Sequence, residues 1–134
     1  MSTTQMQRDS VFGSENKIDV DIQQLFKDCF EDIEMLQQLI LLFKGNVFEF
    51  IGNVKIHLQS GTLNDVALSA HKLKAGFAML KANDLRELLI QIELQSKADH
   101  SNEVERLYTT FLNEYPFLEK RIDEEVEYLK MINR

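Results

Sequence analysis

Apolar residues recur along this chain at steps of three and four, and that rhythm predicts its elements. From Ile33 they fall at Leu36, Ile40, Phe43, Val47, Phe50, Val54 and Leu58. Such spacing lines one face of a long helix. Asp32 stands where a side-chain cap is needed, and Gly61 follows as a C-terminal stop. A shorter helix over Val20 to Lys27, capped by Asp19, is expected before it. A third helix begins near Asn64, with Val66, Ala70, Leu73, Phe77 and Leu80 as its buried stripe. Asn83 is expected to cap a fourth, carrying Leu85, Leu88, Leu89, Ile92 and Ser96. Asn102 with Glu105 reads as a capping box for the last helix. Its stripe runs Val104, Leu107, Phe111, Tyr115, Leu118, Ile122, Val126, Leu129. Pro116 lies inside that stripe without shifting its phase, so one kinked helix is expected rather than two.

The pattern contains no strand, internal repeat or low-complexity run. It predicts an all-α protein: an antiparallel four-helix bundle with a short leading N-terminal helix and a long, Pro-kinked C-terminal helix. Residues 1–16 are polar and read as a flexible tail, leaving 17–134 as one helical domain. The chain has 134 residues, one proline and five glycines, which favours long helices in a single core. Phe43, Phe50 and Phe77 follow the stripes and are expected in that core.

Charge narrows the possible partners. The net charge is −7, so neither nucleic acid nor an anionic membrane is an expected partner. The chain offers no signal peptide and no apolar run of membrane-spanning length. Cys29 is the single cysteine, which excludes an internal disulfide and suits a reducing compartment. The expected location is the cytoplasm, and the expected state a monomer. Metal-ligand spacings and a glycine-rich phosphate loop are missing, so no cofactor of its own is expected.

One stretch, SAHKLKAGFAML (69–80), departs from an ordinary solvated helix. At the helical angle per residue, His71 points about 140° from the centre of the buried stripe. Its own face carries Ala67, Ala75 and Ala78 one or two turns away, with Leu68 and Lys74 beside it. Residues 66–83 contain no Asp or Glu, although the chain has 22 acids. The surface expected there is open, flat and locally positive. A neutral imidazole nitrogen can attack a phosphoryl group near pH 7, and a lysine one turn away can stabilise the transferred anion. His57 and His100 lack such surroundings and are expected to play plain surface roles.

AHKLKAG, with Leu80 and Ala82 beyond it and Leu85-x-x-Leu88 in the next helix, resembles the histidine phosphotransfer (HPt) domain family. The resemblance spans about Ile18 to Leu129 and includes the leading Ile18-Asp19 and the Gly61-Thr62-Leu63-Asn64-Asp65 connection. It implies a phosphoryl carrier without a kinase site of its own. His71 falls on the family's phosphoacceptor and Lys74 on its lysine. Ala67, Leu68, Ala75, Ala78 and Lys81 are the expected partner-binding surface. The implied partners are response-regulator receiver domains or a hybrid sensor histidine kinase, with Mg²⁺ on the receiver. Two positions depart from the pattern. Ala75 stands where the family has glycine after its lysine, and Lys81 where it has the glycine of Leu-Gly-Ala. The alternative reading is a helical adaptor that binds a receiver or kinase without being phosphorylated. An enzyme using His71 as a base lacks a visible partner acid.

Overall fold

The computed structural model describes residues 18–133. The tail expected over residues 1–16 lies outside them. Five helices follow one another: α1 (Ile22–Asp28), α2 (Ile33–Ser60), α3 (Leu63–Met79), α4 (Asn83–Lys97) and α5 (Ser101–Ile132). α2 packs on α3, α3 on α4, α4 on α5, and α5 closes the ring against α2. α1 lies against α2 and α5. Connections of two or three residues force α2 to α5 to run antiparallel, each to the next. This is the expected all-α bundle.

The stripes read from the sequence meet in its centre. Leu36, Val54, Val66, Phe77, Leu89, Phe111, Leu118 and Ile122 are fully buried. Aromatic rings link three helices across the core. Phe43 of α2 lies 4.9 Å from Phe77 of α3, and Phe77 lies 5.8 Å from Phe111 of α5. Offset and tilted ring pairs of this kind add about 1 kcal/mol each beyond their buried area. The Tyr108 hydroxyl donates to the Ile51 carbonyl at 2.7 Å, tying α5 to α2. α5 runs unbroken through Pro116, which sits on its exposed side.

The helix ends explain how so few glycines suffice. Gly61 ends α2 with φ of 73°. Elsewhere the left-handed position after a helix is filled by Phe30, Lys81 and Asp99, with φ of 58°, 56° and 62°. After α3, Lys81 N–H donates to the Ala78 carbonyl and Ala82 N–H to that of Phe77. This double bond pattern satisfies the end of the helix and turns the chain straight into α4.

Three expected caps move. Asp21, not Asp19, caps α1, its side chain accepting from Gln24 N–H at 2.9 Å. Asp21 is held there because its own N–H donates to the Leu80 carbonyl at 2.8 Å, which fixes where α1 can begin. Asn83 lies inside α4; the cap position belongs to Ala82, buried and without a side-chain bond. The three-residue turn places Ala82 at the cap position, where it is packed in the interior. The Asn102–Glu105 box does not form, since α5 already starts at Ser101 behind His100. Asp32 caps α2 as expected, accepting from Met35 N–H.

Candidate functional site

The α3 helix presents His71 outward, as its phase predicts, with 64% of the side chain exposed. What the sequence conceals is its partner. Glu93 of α4 reaches across, and its Oε2 lies 3.0 Å from His71 Nδ1. The same carboxylate receives Lys74 on Oε1 at 2.7 Å and Lys97 on Oε2 at 3.0 Å. Glu93 itself is only 8% exposed. Its carboxyl is held down at about 2, first by the Lys74 ammonium and then by Lys97 and His71, against a burial that favours the neutral acid.

The geometry selects a tautomer of the neutral ring. An ionised carboxylate accepts, so in that ring Nδ1 is the donor to Glu93. Nε2 then keeps the lone pair. The absence of acids from residues 66–83 is therefore not an absence of acid from the site. The acid comes from α4. One signal for it exists in the sequence. Glu93 is in step with Leu89 and Ser96, on the apolar stripe of α4, where a carboxylate needs a buried cation to be tolerated.

The expected docking residues divide. Leu68 is 59% exposed, and Ala75, Ala78 and Lys81 are exposed with it. Ala67 is not; it is 4% exposed and belongs to the interior. It shares with Lys74 the side of α3 that leans toward α4, as the reach of Glu93 to Lys74 shows. The side of α3 that faces α2 borders a groove of about 510 Å³, which Ala75 lines and His71 does not. Leu39, Leu42, Phe43 and Asn46 form one wall, and Lys72, Ala75, Gly76 and Met79 the other. Gly76 permits the approach of the two helices: a Cβ there would meet the Phe43 ring at 3.1 Å.

His57 and His100 do local work at helix ends. His57 Nδ1 lies 2.9 Å from the Thr62 hydroxyl, across the α2–α3 turn. His100 Nδ1 lies 2.6 Å from Gln95 Oε1. Neither has a buried carboxylate behind it.

A model of the Hpt domain family matches residues 22–131. The chain belongs to that family. Comparison with curated proteins finds no match, and comparison with solved structures finds none. Hpt domains carry phosphoryl groups on a histidine in phosphorelays and interact there with receiver domains and kinases. The match covers all of α1 to α4, most of α5 and the whole His71–Lys74–Glu93–Lys97 cluster. No helix among the described residues is long and apolar enough to cross a membrane.

Proposed function

We propose that this Hpt protein relays a phosphoryl group between receiver-domain aspartates through Nε2 of His71. The observation that carries the reading is the pairing of an exposed imidazole with a buried carboxylate. Glu93 holds the Nδ1 proton, so the nucleophilic lone pair stays on the nitrogen that a partner can reach. Nε2 attacks the phosphorus of an aspartyl phosphate, and the bond from phosphorus to the carboxylate oxygen breaks. The ring keeps its Nδ1 proton and becomes cationic beside Glu93, which stabilises that charge. Lys74, one turn from His71, pairs with the phosphoryl oxygens. A second receiver's aspartate then takes the group by the reverse displacement. The receiver supplies the acidic pocket and Mg²⁺; this chain supplies the carrier nitrogen and its support.

The docking surface is the exposed strip of Leu68, Ala75 and Ala78, with Lys81 at its rim. Small side chains around His71 let a receiver's active site come within bonding distance.

Incubation with a phosphorylated receiver tests the relay. Acid-labile label is expected on the wild type and lost in His71→Ala. Lys74→Ala is expected to slow transfer with the fold intact. Label that persists in His71→Ala overturns the reading. Receiver binding that survives His71→Ala, with no label on the wild type, establishes the adaptor instead.

A further inference from the structure

Lys74 stands between two demands. In the proposed relay its ammonium accompanies the phosphoryl group. In the structure that ammonium is already held 2.7 Å from Glu93 Oε1. It cannot move toward an incoming phosphoryl group without loosening its hold on the carboxylate. Glu93 is 8% exposed, so little water can take the place of the lysine. A buried carboxylate stripped of its cation is strongly destabilised. With Lys74 alone the site would resist the movement its chemistry requires.

A second cation is in place. Lys97, one turn after Glu93 on α4, sets its ammonium 3.0 Å from Oε2, the oxygen that faces His71. Pairs one turn apart on an exposed helix face usually contribute little. This one differs in its partner, which is buried and belongs to the site. The two lysines take different oxygens, so the carboxylate is pinned at both ends with Oε2 aimed at the ring. Two ammonium groups against one carboxylate also leave one positive charge in excess before any phosphoryl group arrives.

We infer that Lys97 is a positioning residue that keeps Glu93 compensated and aligned while Lys74 turns to the phosphoryl group. The inference rests on the relay through His71. As the Nε2–phosphorus bond forms and the leaving group departs with its electron pair, Lys74 transfers its pairing from Glu93 Oε1 to the phosphoryl oxygens. Lys97 stays on Oε2, and the cationic ring keeps its Nδ1 proton against the same oxygen. When an acceptor carboxylate takes the phosphoryl group, Lys74 returns.

Phosphoramidate tests this without a docking partner, since ammonia leaves as the phosphoryl group passes to His71. Phosphohistidine is followed by ³¹P NMR in the wild type, Lys97→Gln, Lys97→Arg, Lys74→Gln and the Lys74/Lys97 double glutamine variant. Thermal melts show that each variant is folded. Lys97→Gln is expected to slow labelling roughly tenfold, about as much as Lys74→Gln, because both remove the same mobile cation from the reaction. The double variant is expected to be no slower than either single one, and Lys97→Arg to restore most of the rate. Wild-type labelling matched by Lys97→Gln overturns the inference and leaves the relay standing. Losses that multiply in the double variant also overturn it, since the lysines then act separately. A wild type that takes no label removes both the relay and the inference.

Discussion

His71 and Glu93 are 22 residues apart in the chain, and 3.0 Å separates Nδ1 from Oε2. The turn through Leu80, Lys81 and Ala82 brings them together by folding α4 back along α3. The carboxylate is buried and the imidazole is exposed, so one partner is fixed and the other is available. That asymmetry orients the ring while leaving its far nitrogen free. The consequences can be measured one residue at a time.

Replacing Glu93 with Gln removes the charge that selects the Nδ1 proton while keeping the shape of the side chain. Phosphoryl transfer to His71 is expected to fall roughly 10- to 100-fold, as when a group supporting a reacting centre is lost. ¹⁵N-edited spectra of the imidazole should show one dominant tautomer in the wild type and a mixture in Glu93→Gln. An unchanged tautomer ratio would remove the orienting role of Glu93.

The same carboxylate gives the fold a pH dependence of defined sign. Its folded value of about 2 lies below the ordinary glutamate value of 4.5. Its contribution to stability is therefore complete above about pH 4.5 and is lost as the pH falls toward about 2. Urea unfolding of the wild type and Glu93→Gln should show a constant difference at neutral pH. That difference should shrink through the window from about 4.5 to about 2.

Lys81 occupies the left-handed region with φ of 56°. An L side chain there costs about 1 kcal/mol relative to glycine. Lys81→Gly should raise the unfolding free energy by about that amount, whereas Lys81→Ala should not. Denaturant midpoints decide the matter. Equal gains from glycine and alanine would assign the effect to loss of the lysine chain and not to the backbone.

The helical glycines are not equivalent. Gly45 and Gly52 have open space where a Cβ would stand. Alanine at either should stabilise α2 by about 0.5–1 kcal/mol through helix propensity alone. At Gly76 the Phe43 ring is in the way, and alanine should cost about 1–3 kcal/mol through overpacking. Pairing Gly76→Ala with Phe43→Leu should recover part of that loss. Thermal melts of the four variants check the ordering.

Much of this architecture is legible in the sequence because a helix in a bundle repeats its instruction every turn. The stripe from Leu36 to Val54 marks the buried face of α2 six times over, and no single residue carries the message. Caps are stated once. Asp19 and Asp21 look alike in the chain, and the Leu80 carbonyl, which fixes where α1 begins, comes from a different helix. Ala67 shows a related difficulty. Helical phase gives its direction relative to His71, but it does not say that α4 covers that direction. Glu93 is the clearest case. Its role needs a turn, a crossing and Lys74 and His71 from α3; only Lys97, one turn away on α4, is local to it.

The aromatic packing of α5 has a spectroscopic consequence. The protein has no tryptophan, and its three tyrosines, Tyr108, Tyr115 and Tyr128, all lie on α5. Tyr108 and Tyr115 are buried among Phe43, Phe50, Phe77 and Phe111. Its intrinsic ultraviolet emission is therefore a gauge of how α5 sits in the bundle. The surface around His71 on α3 carries no tyrosine or tryptophan. The proposed loading of His71 would pass unseen in that channel, and an optical assay of it needs a dye or a tryptophan introduced on α3.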